Sequence, residues 1–232
     1  MKLSVIMPVY NEESALREIL EKVLGTPFRP EVVVVDDGST DGTPRILSDY
    51  DSHARVRVVT HETNQGKGTA IRSGLGHVTG DVVIVQDADL EYDPADYASM
   101  IGPFSDPEVQ VVYGSRRLLR SNPMCSLMFF LGGLSLTWLT NLLYRTGITD
   151  EPTCYKAFRT ELLKSLPLRC RRFEFCPEVT ALVARRGIRI VEVPIHYSPR
   201  GRQQGKKIGF RDWYEAAYTL IKYRLLPAHA IQ

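Results

Sequence analysis

Residues 32–43 read VVVVDDGSTDGT: four valines, two aspartates, then a Gly/Ser/Thr/Asp loop that runs into Pro44. Four β-branched apolar residues with no polar alternate form a strand only where both faces are covered, as in the middle of a parallel sheet. The turn residues end the strand, and Pro44 suits the first turn of a helix. The same grammar recurs on either side. LSVIMPV at 3–9 precedes a helix predicted from about Glu12 to Leu24, and RVRVVT at 55–60 one from about Lys67 to His77. GDVVIVQD at 80–87 precedes one from about Pro94 to Gly102, and VQVVYGS at 109–115 closes the series. The alternation predicts an α/β fold with a doubly wound, mostly parallel central sheet and helices on both faces.

Ligands of such sheets bind outside the carboxyl ends of the strands. The unusual residues fall there: PVYNEE at 8–13, DDGSTDGT at 36–43, NQGKG at 64–68 and DADLE at 87–91. Asp87 and Asp89, two apart just past a strand, point the same way if the backbone stays extended. Carboxylates so crowded call for a cation, and Mg²⁺ or Mn²⁺ typically takes one or two of them together with substrate phosphate oxygens. A solvated acidic turn is the plainer explanation, and it accounts for Asp93, which caps the helix at Pro94. In the DDGSTDGT loop an acidic side chain can accept from a ribose hydroxyl or a base N–H, while Thr43 suits an N-cap. Asn11 and Glu12 suit a cap as well, and Tyr10 offers a ring on which a nucleobase can stack.

The net charge of +2 conceals a polarity. Residues 1–110 hold 9 Lys and Arg against 19 Asp and Glu, and residues 111–232 hold 20 against 8. The second half suits anions, whether phosphates or an acidic membrane surface. Its basic residues are interleaved with apolar runs, a texture that argues against nucleic acid as a partner. Cys125, Cys154, Cys170 and Cys176 form no CxxC pair and read as free thiols of a reducing compartment. The N-terminal apolar run breaks at Pro8, too early for a secretory signal, so a cytoplasmic location is expected.

Between Arg120 and Arg145 lie 24 uncharged residues, long enough for a transmembrane span. Ser126, Gly133, Thr137, Thr140, Asn141 and Tyr144 recur at helical spacings and give that helix a small, polar stripe opposite Leu, Phe and Trp. Three placements fit: lying in a membrane interface, buried or dimer-forming within protein, or spanning. A second helix, from about Asp212 to Leu226, mixes Trp, Tyr, Lys and Arg with aliphatics, which is interfacial composition too. The organisation expected is an α/β half at 1–115, a second half of the same domain at 116–210 that includes an apolar helix at 124–144, and a C-terminal amphipathic helix at 211–232.

VIMPVYNEE, VVVVDDGSTDGT, NQGKGTAIRSGL and DADLE, in this order, resemble glycosyltransferase family 2, inverting nucleotide-sugar enzymes with a GT-A fold. VYGSRR, TDEPTCYKAFR, EVPIHY and RQQGKKI extend the likeness to the branch that glycosylates dolichyl or undecaprenyl phosphate. The resemblance implies transfer of a hexose from a GDP- or UDP-sugar to a polyprenyl phosphate on the cytoplasmic face of a membrane. It places Pro8, Tyr10, Glu12, Val35, Asp37, Lys67 and Ala88 at the donor, and Asp87, Asp89 and Glu91 at a Mg²⁺ or Mn²⁺ ion. Arg116 would meet a phosphate, with Arg117, Arg200, Arg202 and Lys206 at the acceptor and Lys207 closing on the donor. Relatives usually carry Ser where Lys206 stands, and Gln is frequent at the position of Glu91. A lipid phosphate is ionised near neutrality, with a second pKa of roughly 6, and needs no strong base. A hydroxyl acceptor would need a carboxylate base, for which Asp150 and Glu178 are the candidates. The rival readings are such a hydroxyl-directed transferase, or a scaffold that binds nucleotide sugars without turnover. Membrane attachment would be peripheral, or supplied by a homo-oligomer or a membrane-protein partner.

Overall fold

The computed structural model describes residues 1–123, 126–200 and 209–227. Its strands are β1 (Leu3–Val9), β2 (Glu31–Asp36), β3 (Val56–Thr60), β4 (Val82–Val85), β5 (Val111–Ser115), β6 (Lys156–Arg159) and β7 (Ile190–Pro194). Its helices are α1 (Leu16–Leu24), α2 (Thr43–Ser48), α3 (Lys67–Leu75), α4 (Tyr97–Ile101), α5 (Leu127–Tyr144), α6 (Thr160–Ser165), α7 (Phe175–Arg185) and α8 (Phe210–Leu225). The strands form one sheet in the order β3-β2-β1-β4-β6-β5-β7. Every pairing is parallel except those of β6, which runs antiparallel to both β4 and β5.

The valine run explains itself in this sheet. Val32 and Val34 enter one core layer with Val5, Met7, Val82 and Ile84, and Val33 and Val35 enter the opposite layer with Ile6, Val83 and Val85. Both faces of β1, β2 and β4 are therefore apolar, and their carboxyl ends, in register through Val9 and Asp36, finish at one edge. The helix expected from Pro94 to Gly102 is instead a 3₁₀ turn at Pro94–Asp96, the short α4 and a second 3₁₀ turn at Gly102–Ser105. Pro103 denies α4 a continuing backbone donor. Helix α1 starts at Leu16 instead of Glu12, after Asn11 in a left-handed conformation (φ 51°). Gly42, not Thr43, caps α2, and the Thr43 hydroxyl accepts from the Glu12 N–H at 3.0 Å, tying the β1 and β2 loops together.

Helix α5 carries the stripe expected of it, with the polar side turned inward. Thr137 and Thr140 are buried, Asn141 bonds the backbone of Ile148 at both its carbonyl and its N–H, and the Tyr144 hydroxyl donates to the Leu220 carbonyl of α8 at 2.6 Å. The opposite stripe, Leu127, Leu131, Leu134, Trp138 and Leu142, is exposed, with Trp138 at 65%. Helix α8 runs beside it and buries Ala216, Ala217 and Leu220 while Phe210, Tyr214, Tyr218, Ile221 and Leu225 face outward. The Trp213 indole N–H clamps the pair by donating to Gly132 O and Ser135 Oγ at 3.2 and 3.0 Å. Among the described residues α5 is the one helix long and apolar enough to cross a membrane, and little of it is buried.

Candidate active site

Two glycines let the loops at the strand ends pack backbone against backbone. Gly38 (φ 73°) and Gly66 (φ 95°) both adopt left-handed conformations, and a Cβ on Gly66 would stand 2.4 Å from the Arg171 carbonyl oxygen. Only glycine accepts both the dihedral and the approach. Asp37 secures the second loop: Oδ1 pairs with His61 Nδ1 at 2.7 Å and accepts from Gln65 N–H, and Oδ2 accepts from Gly66 N–H at 2.7 Å. This carboxylate, expected at the base or ribose, lies in the cleft wall with both oxygens given to shaping the Gln65–Gly66 turn. Lys67 follows at the start of α3 and is thereby aimed across the strand ends.

These loops open a cleft of about 1400 Å³. Pro8, Tyr10 and Glu12 line one end, and Lys67, Asp87, Ala88, Asp89 and Glu91 the middle. Arg116, Arg117 and Arg200 line it too, and Met128, Phe129, Phe130, Leu131 and Leu136 of α5 with Trp213 of α8 give it an apolar wall. Thus most of the expected residues converge. Val35 does not line the cleft, because its side chain is enclosed in the core. Arg202, Lys206 and Lys207 lie outside the described residues.

Charges in the cleft are paired in sequence. Lys67 Nζ meets Asp87 Oδ1 at 2.5 Å, and Arg200 spans from Glu12 Oε2 at 2.9 Å to Asp89 Oδ2 at 3.0 Å. Burial works to depress the Lys67 ammonium, yet Asp87 together with the Cys154 and Cys176 thiols holds its pKa well above the usual value, so it stays charged. Arg200, expected at the acceptor phosphate, pairs with Glu12 and Asp89. Glu91 is committed locally: Oε2 accepts from the Tyr197 hydroxyl at 3.0 Å and Oε1 from the Arg200 N–H at 2.9 Å. Of the three acids expected at a metal, Asp87 and Asp89 are thus held by side-chain cations at the cleft surface, and Glu91 by Tyr197 and the Arg200 backbone. Among the described residues no group of three His, Cys, Asp or Glu side chains is gathered to hold a metal. Two carboxylates that leave the remaining positions to phosphate oxygens and water are nonetheless the donor set a small divalent ion accepts beside a diphosphate.

The two carboxylates expected as bases lie off the cleft. Asp150 is fully buried under Arg116, with Oδ2 accepting from Nε and Oδ1 from Nη2 at 2.7 Å each, and Oδ2 from the Arg116 backbone N–H at 3.0 Å. Burial alone would raise its pKa, but the guanidinium holds it below the usual carboxylate range. Its work is to fix Arg116, whose guanidinium stacks over Tyr197 at 5.0 Å from the ring centroid. Glu178 accepts from Arg169 N–H, Cys170 N–H and the Tyr223 hydroxyl, anchoring α7 to the preceding loop and to α8. Every oxygen of both carboxylates already accepts at least one hydrogen bond, and neither residue lines the cleft.

The sequence reading passed over Glu151, Tyr92, Tyr197, Cys154 and Cys176, all of which line the cleft. Cys154 Sγ accepts from Lys67 Nζ at 3.1 Å and lies 4.0 Å from Cys176 Sγ. Among the described residues Cys154, Cys170 and Cys176 are free thiols, as expected. The available signal was the position of TDEPTC just ahead of a strand, which pointed to Asp150 and could not tell it from its neighbour.

The family described as glycosyl transferase family 2 matches residues 4–166 of the chain. A UDP-N-acetylglucosamine–dolichyl-phosphate N-acetylglucosaminyltransferase from Methanococcus voltae is 28% identical over 236 aligned residues, spanning 90% of this chain and 92% of its own. Among solved structures, glucosyl-3-phosphoglycerate synthase from Mycobacterium tuberculosis in complex with Mn²⁺, UDP and phosphoglyceric acid superposes with a TM-score of 0.74. That match has 22% identity and covers 97% of this chain and 79% of that one. The complex of the same enzyme with Mn²⁺ and UDP-glucose gives 0.75, at 22% identity, 97% and 80%. At that identity the likeness establishes the fold, a GT-A-like sheet with its helices. Because the family match takes in every strand from β1 through β6 and the loops that build the cleft, the chain belongs to glycosyl transferase family 2.

Proposed function

We propose that this protein is an inverting glycosyltransferase that moves a sugar from a nucleotide diphosphate donor to a polyprenyl phosphate, with Mg²⁺ or Mn²⁺ at Asp87 and Asp89. The observation that carries the reading is the composition of a single cleft. Its acidic end joins, across Arg116 and Arg117, an apolar wall of α5 and α8 whose outer stripes are exposed. A phosphate on a long hydrocarbon needs that sequence of surfaces, with cations for the head and apolar side chains for the tail. The Methanococcus voltae relative, whose name specifies a dolichyl-phosphate acceptor, supports the same choice along almost the whole chain.

The chemistry then asks little of a base. Arg116, locked by Asp150, and Arg117 would hold an acceptor phosphate whose oxygen is already anionic, given a second pKa of roughly 6. That oxygen attacks the anomeric carbon as the bond to the diphosphate breaks on the opposite face, which inverts the configuration. Lys67 stays charged beside Asp87 and adds fixed positive potential where the leaving group gathers charge. A bound divalent ion supplies Lewis-acid neutralisation of the departing diphosphate. The exposed stripes of α5 and α8 would rest in the headgroup region of a membrane, and the basic balance of the second half would favour an anionic surface.

The test is a scan of UDP- and GDP-sugars against a polyprenyl phosphate and against a free glycan acceptor, with Mn²⁺ or Mg²⁺, reading release of nucleoside diphosphate. Lipid-phosphate-dependent release that chelation abolishes is expected. Turnover with the glycan alone, or undiminished turnover in chelator, would overturn the reading.

A further inference from the structure

Glu151 is fully buried, yet neither of its carboxylate oxygens has a hydrogen-bond partner among the described residues, and it lines the cleft. An unpartnered buried carboxyl is costly, so a site that keeps one is built to receive donors from elsewhere. The backbone holds it there firmly. The Glu151 N–H donates to Thr137 Oγ1 of α5 at 3.0 Å, and its carbonyl accepts from Lys156 Nζ at 2.8 Å. That ammonium, the natural counter-charge, is spent on the carbonyl and on the Tyr113 ring, 3.5 Å from its centroid. Arg116, the other nearby cation, is taken up by Asp150.

We propose that Glu151 is a specificity-determining residue for the transferred sugar, its carboxyl accepting hydrogen bonds from ring hydroxyls or an amide N–H of the donor's glycosyl group. The inference rests on the nucleotide-sugar reading given above and deepens it. Elimination by charge carries it. The diphosphate and the acceptor phosphate are anions and carry no donor for an ionised carboxylate. On the reading above the nucleoside would lie at Pro8, Tyr10 and Glu12 and the lipid along the apolar wall, all of which line the same cleft. The glycosyl group is the remaining substrate part, neutral and rich in donors. Position agrees: from Asp87 the contacts run to Lys67 and on to Cys154, three residues after Glu151. Glu151, Cys154, Lys67 and Asp87 thus line one cleft. Burial pushes its carboxyl up to about 7, a strain that donated hydrogen bonds would relieve.

The experiment measures affinity for UDP-N-acetylglucosamine, UDP-glucose and UDP, each with Mn²⁺, in wild type, Glu151→Ala and Glu151→Gln, alongside thermal melts. In Glu151→Ala the affinity for UDP should stay within about twofold, while the advantage of the preferred nucleotide sugar over UDP should fall by about tenfold or more. Glu151→Gln keeps one acceptor oxygen and should fall in between. A sugar-to-UDP ratio unchanged in folded Glu151→Ala overturns the inference. So does an equal loss for UDP, which would assign Glu151 to the metal or to the fold. Failure of wild type to bind any nucleotide sugar overturns the parent reading and the inference with it.

Discussion

Replacing Glu151 by Gln should change how stability depends on pH, with a size that the burial of this carboxyl sets. The charges of Lys156, Asp150, Cys154 and Arg116 act on this side chain, but desolvation dominates them, lifting its pKa from an ordinary 4.5 to about 7. The folded state therefore holds this proton where the unfolded chain has lost it. Its contribution is fully present below pH 4.5 and is lost as pH climbs through 7. With about 1.4 kcal/mol for each pH unit of separation, wild type forfeits about 1 kcal/mol by pH 5 and about 3 kcal/mol by pH 8.5. Glutamine does not titrate, and the other ionisable groups are common to both proteins. The difference in unfolding free energy should therefore rise by about 2 kcal/mol in favour of the variant between those two pH values. Urea unfolding of both proteins across that range reads the slope, and any constant offset from the new amide drops out. Parallel stability curves would refute the reasoning and mean that the carboxyl already has a partner in solution.

Other consequences are open to direct measurement. Asp150→Asn leaves the Arg116 guanidinium half-buried without its carboxylate. It should cost about 3–5 kcal/mol in chemical denaturation, with the gap narrowing in acid as the wild-type carboxylate, held low by Arg116, is protonated. Gly66→Ala drives a Cβ to 2.4 Å from the Arg171 carbonyl oxygen at φ 95°, and should lower the melting temperature by several degrees, roughly 2–4 °C for each kcal/mol lost. Trp138→Glu, on a side chain 65% exposed, should leave the melting temperature within about 1–2 °C of wild type and still reduce flotation with anionic vesicles about tenfold.

The first half of the sheet could be read from residues because its signals are local. A run such as VVVV needs cover on both faces wherever it lies, and the loops that end β1, β2 and β4 follow their strands without interruption. The stripe on α5 was legible too, but not its direction. That depends on Thr137 meeting the Glu151 N–H and Asn141 meeting Ile148, contacts that local sequence does not announce. Strand β6 hid for a different reason. KAFR is four residues long with charge at both ends, and its Lys156 is buried only because a tyrosine ring and a backbone carbonyl receive the ammonium. Asp150 and its neighbour Glu151 were indistinguishable for a like reason. Adjacent acids look alike in sequence, and only the position of Arg116, brought by β5, decides which one is neutralised and which is left facing the cleft.

The antiparallel insertion of β6 also orders events during synthesis. Strands β1 to β4 can complete their mutual ladder as soon as residue 85 is available, whereas β5 pairs with nothing but β6 and β7. When β5 leaves the ribosome, neither of its neighbours has been translated, and α5, with its outward apolar stripe, emerges in that same interval. The chain thus passes through a stage with half a sheet closed and its most apolar helix not yet packed against α8. Pulsed hydrogen exchange during refolding should accordingly protect the β1, β2 and β4 amides ahead of those in β5.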